Sequence, residues 1–231
     1  IHTAQDFADC AAMLKGENFN ADVLIGLKGQ TAEDVVYTIN FAAEAGARHI
    51  SMYALTPEDG TPIYTDYLNG ELPDGDEVAA LYDAGYKRLK ELGFYRYEVS
   101  NFCKRGKESR HNLNYWHRGE YIGFGVSASS CIKNVRFTNT FDLAEYFKCI
   151  FSEHLPVINS EEIDEEGQKF EFIMLALRTA EGLDAFEYKK LFKTDFFEEH
   201  KKALEKVARY LDIDGDSVRI KDEYLFVQNT I

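Results

Sequence analysis

Hydrophobic residues recur along this chain with two spacings, and the switch between them predicts the elements of its first half. Over residues 1–19 the apolar positions Phe7, Cys10, Ala11 and Leu14 fall three and four apart, as on an amphipathic helix with one buried face. Ala21 to Leu27 (ADVLIGL) is a short, mostly apolar run closed by glycine, which predicts a strand buried on both faces of a parallel sheet. Thr31-Ala32-Glu33-Asp34 carries a capping threonine and early acids, so a helix is expected to follow through Ala47. His49 to Leu55 gives the next strand, and Gly60-Thr61-Pro62 punctuates a loop. Asp76 to Leu92 is expected as a helix stopped at Gly93, with Val78, Leu81, Tyr82, Tyr86 and Leu89 on one side, and Tyr95 to Ser100 as a third strand. Strands alternating with helices imply an α/β fold with a parallel sheet, open or barrel-like.

After Gly123-Phe124-Gly125 the alternation weakens, and Thr138 to His154 is expected as a helix closing a first domain of residues 1–157. The second domain, 158–231, reads as three helical stretches, 163–180, 184–192 and 195–211, then a hairpin of Ser217 to Ile220 and Tyr224 to Val227. Helices finished by a small hairpin predict a winged-helix-like module.

Charge narrows the partners. The 231 residues carry 26 Lys plus Arg against 40 Asp plus Glu, a net −14, and the second domain repeats the excess with 18 acidic and 11 basic side chains. A chain this acidic repels phosphate backbones, so nucleic acid is not an expected partner, even for a winged-helix shape. Apolar runs such as Val23 to Ile25 and the longer Phe172 to Leu177 fall far short of the ~20 residues of a membrane span. The opening Ile1-His2-Thr3-Ala4 has no initiator Met and no leader pattern, so a start inside a longer protein is expected. Cys10, Cys103, Cys131 and Cys149 are scattered, with no pair at a metal-box spacing, and they read as reduced thiols of a cytoplasmic protein.

Three segments concentrate chemistry. In Asp22 to Thr31 (DVLIGLKGQT) an acid enters a strand that runs into a glycine-rich loop and a helix start, the place where parallel α/β sheets bind ligands; the alternative is a polar strand residue and a tight turn. Arg110 to His117 (RHNLNYWH) packs two histidines, two amides and the single Trp into eight residues. Such a loop suits iron ligation by an imidazole with Tyr115 and Trp116 against a flat macrocycle, or else core anchors beside a structural histidine. In Gly123 to Cys131 the small residues let backbone approach a ligand closely, and Cys131 lacks a base nearby in sequence. His2, His49, His154 and His200 stand isolated and are expected to be solvated or satisfied. No GxSxG, P-loop, HExxH or EF-hand pattern occurs.

Taken in order, DVLIGLKGQT, SMYALTPEDGTP (Ser51 to Pro62), GFYRYEVSNF (Gly93 to Phe102), RHNLNYW and Gly123 to Ser130 resemble the radical S-adenosylmethionine (SAM) family of oxygen-independent coproporphyrinogen III oxidase-like proteins, and among these its haem chaperone branch. Arg178 to Leu183 (RTAEGL) and the helices after it resemble the family's C-terminal module. The resemblance implies the rear part of a partial (β/α) barrel followed by a small helical domain. It implies SAM and a 4Fe-4S cluster in the full-length protein, with haem or porphyrin as ligand. The family's CxxxCxxC cluster motif is absent from this chain, so no radical chemistry is expected of it alone. Carried over by position, Asp22, Ala54 and Ser129 would contact SAM, and His111, Asn112, Tyr115 and Trp116 would form the haem motif, with His111 on the iron. Lys28 stands where the family usually has proline, and Gly125 to Ser130 is nearer the oxidase branch than the chaperone one. Three functions are therefore weighed: a haem chaperone that passes haem to a recipient protein, a coproporphyrinogen III oxidase, and a non-catalytic interaction fragment.

Overall fold

In the computed structural model the described residues are 3–230, with side chains described through Phe226. Ile1 and His2, part of the predicted first helix, lie outside them, as does Ile231. The chain divides into two compact units, 1–108 and 109–231.

The first unit begins α1 (Ala4–Met13), β1 (Asn20–Ile25), α2 (Ala32–Glu44), β2 (His49–Ala54). α1 is less amphipathic than its spacing promises, since Ala11 is its buried residue and Cys10 is exposed. Thr31 caps α2 in a reciprocal box: its hydroxyl accepts from the Asp34 N–H at 3.2 Å, and the Asp34 carboxylate accepts from the Thr31 N–H at 2.9 Å. β1 and β2 pair in parallel, Asn20 opposite His49 through to Ile25 opposite Ala54, with α2 as the crossover. β1 is not buried on both faces as its apolar run suggested. Ala21, Val23 and Ile25 are buried, whereas Asn20, Asp22 and Leu24 are exposed, so one face of the sheet is open along β1.

Pro62 starts a helix rather than ending a loop: α3 (Pro62–Leu68) has proline in its first turn, where a missing N–H costs nothing. α4 (Gly75–Glu91) packs on α2 and on both parallel strands. Its Gly85 is required by closeness, because a Cβ there would sit 2.5 Å from the Met52 sulfur and 3.1 Å from Val35 Cγ1. The third strand departs from expectation. Tyr95 to Ser100 contributes only β3 (Tyr95–Arg96), and the chain then turns so that the Tyr97 N–H reaches Asn101 O at 3.2 Å. It returns as β4 (Asn101–Cys103), antiparallel to both β3 and β2. The sheet order is β1-β2-β4-β3, leaving β1 on an edge.

The second unit opens with α5 (Arg110–Trp116), β5 (Ser129–Ile132), β6 (Val135–Asn139), α6 (Leu143–Phe151), β7 (Val157–Glu162). The three strands form an antiparallel sheet, β5-β6-β7. Thr138 and Asn139, expected to be helical, belong to β6, and α6 begins only where Asp142 caps it by accepting from the Glu145 N–H at 2.8 Å. Next come α7 (Glu165–Ala176), β8 (Leu183–Asp184), α8 (Ala185–Phe192), α9 (Phe196–Glu199), α10 (Lys201–Val207), β9 (Leu211–Asp214), β10 (Ser217–Ile220). The sheet β8-β10-β9 and these helices make the predicted winged-helix-like module, around a core of Leu183, Ala185, Tyr188, Phe196, Leu211 and Val218. Its hairpin is shifted from the prediction: Ser217 to Ile220 pairs back with β9, and Tyr224 onward lies in a terminal 3₁₀ segment. Among the described residues no helix is long and apolar enough to cross a membrane.

Candidate functional site

On the open face of the first sheet, register places Asn20 beside His49, Asp22 beside Ser51, Leu24 beside Tyr53, and Ser51 beside Asn101. These side chains are joined. The Asp22 carboxylate accepts from Asn20 Nδ2 at 2.6 Å, and Asn20 Oδ1 faces His49 Nδ1 at 2.6 Å while accepting from Ser51 Oγ at 3.2 Å. His49 Nε2 meets the Tyr97 hydroxyl at 2.7 Å. Burial pushes the His49 pKa below its ordinary value, against a smaller opposing pull from Asp22, so the ring is neutral. With a carbonyl oxygen at Nδ1, that nitrogen donates and Nε2 accepts from Tyr97. Leu24 and Tyr53, 42% and 41% exposed, give this face an apolar, partly aromatic surface beyond the acid.

The neighbouring glycine-rich turn does not offer its amides. Gln30 folds back so that its Oε1 accepts from the Gly26 and Leu27 N–H groups at 2.8 and 3.3 Å, while its Nε2 donates to Leu24 O at 3.1 Å. Ala54 pairs with Ile25, in register with the buried positions of β1, so contact from it to a ligand on the Asp22 face would run through main chain. Sequence reasoning also passed over Glu98, which is 1% exposed and whose carboxyl is pushed up by burial against hydrogen bonds from Ser100 and Asn101.

In the second unit the RHNLNYW segment is a helix, not a loop. Ser109 caps it by accepting from the Asn112 N–H at 3.3 Å, and helical spacing puts His111 and Tyr115 on one face. Their rings meet edge to face at 4.9 Å, and Tyr115 meets Tyr121 the same way at 4.8 Å. His111 is exposed, Tyr115 is 38% exposed, and Asn112 and Trp116 are half-buried; Trp116 is thus no deep core anchor. The helix is fastened just past its end: Arg118 donates to Glu171 at 2.8 Å and to Asn134 at 2.9 Å, and His117 faces Glu181 at 3.2 Å. Burial raises the Glu171 pKa, but Arg136 and Arg118 outweigh it and hold the carboxyl below its usual range.

Ser129 lies on β5, its hydroxyl 3.0 Å from that of Thr138. The glycine preceding it in the motif serves the fold: a Cβ on Gly123 would strike the Ser129 carbonyl, and the Gly123 N–H donates to Ser130 Oγ at 3.0 Å. Gly123 therefore lets the chain approach itself, whereas Gly125 is there for its φ of 102° and has open space around it. Of the other histidines, His154 Nδ1 lies 2.6 Å from Ser152 O, and His200 Nε2 lies 3.1 Å from the Tyr188 hydroxyl. Burial pushes the Cys103 thiol up to about 11, an unreactive setting.

Comparison with known proteins shows what the chain is similar to. Residues 163–226 match the HemN C-terminal domain. The chain is 35% identical over 188 residues to the Heme chaperone HemW of Mycobacterium tuberculosis (strain ATCC 25618 / H37Rv), covering 79% of this chain and 48% of that protein. With HemW of Bacillus subtilis (strain 168) it shares 34% over 169 residues, covering 72% of this chain and 45% of that one. The chain belongs to the HemN/HemW family. It spans about half the length of the curated relatives it matches. The solved structure of the coproporphyrinogen III oxidase HemN from Escherichia coli, a radical SAM enzyme, superposes with a TM-score of 0.79 at 16% identity, over 99% of this chain and 58% of that one. That likeness is one of HemN/HemW fold, and it bears out the expected partial radical SAM barrel followed by a winged-helix-like domain.

Proposed function

We propose that this chain is the haem-handling part of a cytoplasmic haem chaperone, in which His111 ligates the iron, Asn112, Tyr115 and Trp116 line the macrocycle, and the bound haem passes to a recipient protein. The observation that carries the proposal is the state of His111: an exposed imidazole with no hydrogen bond to another described residue, edge-on to Tyr115, on a helix anchored by Arg118 and Glu171. An imidazole with free ring nitrogens beside aromatic surface suits an axial ligand and a flat partner. In the same reading residues 158–231 are the C-terminal module, and no nucleic acid takes part.

The donor chemistry of the open sheet face fits SAM. Asp22 supplies an anion for ribose hydroxyls or an ammonium group, and Leu24 and Tyr53 supply surface for a planar base. Ala54 is the further contact proposed on this unit, and Ser129 is proposed as a SAM contact on the resemblance alone. The cysteines do not fit the 4Fe-4S cluster: Cys10 is exposed, Cys103 buried, and among the described residues no group of three His, Cys, Asp or Glu is placed to hold a metal. In a cluster-bearing family member the cluster supplies the electron that cleaves SAM, and this chain's residues bind and orient the adenosyl group.

Haem titration tests the reading. Wild type is expected to shift the Soret band on addition of ferric haem, and His111→Ala to lose the shift or bind at least about tenfold more weakly. A Soret band identical in the two proteins would remove His111 as ligand.

A further inference from the structure

We infer that His49 is a positioning residue for Asp22, locking the Asn20 carboxamide so that the acid presents one fixed oxygen to an adenosyl ligand on the open sheet face. The inference rests on the reading of Asp22 as a SAM contact and adds residues that the motif itself does not contain.

Four side chains form a single file of hydrogen bonds with one direction. Tyr97 donates to His49 Nε2 at 2.7 Å, His49 Nδ1–H donates to Asn20 Oδ1 at 2.6 Å, and Asn20 Nδ2–H donates to Asp22 Oδ1 at 2.6 Å. The direction is set at the exposed end, since a carboxylate accepts only and so demands the amide's NH₂. Asn20 is itself exposed, and an exposed carboxamide left alone flips freely. Here a flip would turn Nδ2 toward the His49 and Ser51 donors and Oδ1 toward the carboxylate, losing the bond to Asp22 and those from His49 and Ser51. The buried ring, 7% exposed, thereby controls a group at the surface. One oxygen of the exposed Asp22 carboxylate is occupied by Asn20, which leaves the other for a ligand. Oriented second partners of this kind preserve the geometry of a contact they do not make themselves.

The test compares two polar replacements that keep different halves of the imidazole. His49→Asn retains a donor at the Nδ1 position toward Asn20, whereas His49→Gln retains a group only at the Nε2 position toward Tyr97. By isothermal titration of the 231-residue chain with S-adenosylhomocysteine, Asp22→Asn and His49→Gln are each expected to weaken binding about tenfold, the loss of one oriented hydrogen bond to a charged group. His49→Asn should bind within about twofold of wild type, and Asp22→Asn combined with His49→Gln should be no weaker than Asp22→Asn alone. Equal affinities for His49→Asn and His49→Gln would overturn the positioning role, because a purely structural histidine predicts no such split. If Asp22→Asn leaves binding unchanged, or wild type takes up no S-adenosylhomocysteine, the adenosyl reading fails while the file is judged separately, by the side-chain amide signals of Asn20 in ¹⁵N–¹H spectra. Those signals should match wild type in His49→Asn and move in His49→Gln; the same signals in both would overturn the file whatever the ligand does.

Discussion

The first sheet and the C-terminal module both thread polar side chains through their interiors, but one string ends in the open and the other closes on itself. On the first sheet, Tyr97, His49 and Asn20 lead out to an exposed carboxylate with an oxygen to spare. In the module, Lys169 reaches Glu199 at 2.8 Å, Glu199 takes the hydroxyls of Tyr188 at 3.0 Å and Thr194 at 2.6 Å, and Tyr188 also meets His200 at 3.1 Å. Every link there is spent inside the module. Closed networks of this kind hold helices together, whereas an open string sets up a group for something else to meet.

The sharpest way to separate the two is to break the module's hub. Tyr188 is fully buried, so Tyr188→Ala should cost about 3–5 kcal/mol in chemical denaturation. Tyr188→Phe, which keeps the ring and loses the hydroxyl bonds, should cost only about 1 kcal/mol. Neither change should alter the exchange protection of the Ile50 and Met52 amides in the first sheet. Next in size, Gly85→Ala should destabilise the first unit by about 1–3 kcal/mol through overpacking against Met52, Val35 and Ile39, and leave the Leu183 and Val218 amides protected.

Acid gives the smallest and most informative contrast. Lys169 and Thr194 hold the Glu199 carboxyl at about 2, below the ordinary 4.5. The unfolded chain therefore takes up that proton first, so the module keeps this stabilisation above pH 4.5 and loses it as pH falls toward about 2. His49 is lowered from 6.5, so the first unit loses its share earlier, as pH drops below 6.5, while the raised pKa of Glu98 works in the opposite direction. Hydrogen exchange followed from pH 7 to pH 3 should show protection of the first sheet declining before that of the module. His49→Asn should abolish the early decline; an unchanged decline would assign it to other groups.

Much of this could be read directly from the residues. The capping threonine at position 31, the stop at Gly93 and the strand–helix–strand unit of β1, α2 and β2 follow from short-range spacing and appear where expected. What escaped depended on partners distant in sequence. β7 has little apolar signal because nearly all of it is exposed, and its pairing with β6 is what makes it a strand. The wing was misplaced because Asp212 and Asp214 make β9 look like a loop, although Asp214-Gly215, with Gly215 at a φ of 59°, carried a hairpin signal. Asp22 was legible as an acid in an apolar strand. Asn20 and His49 were not, since they become neighbours only through the parallel register, and no local pattern announces a bond across 29 residues.

One feature of the first sheet bears on how the chain behaves in concentrated solution. β1 pairs on one side only, so main-chain groups along its outer border, short of Leu24 O, which Gln30 holds, are open to an extended segment. Self-association should therefore begin at this border, and a proline placed in β1 with its nitrogen on the outer side should suppress it without disturbing the ladder to β2.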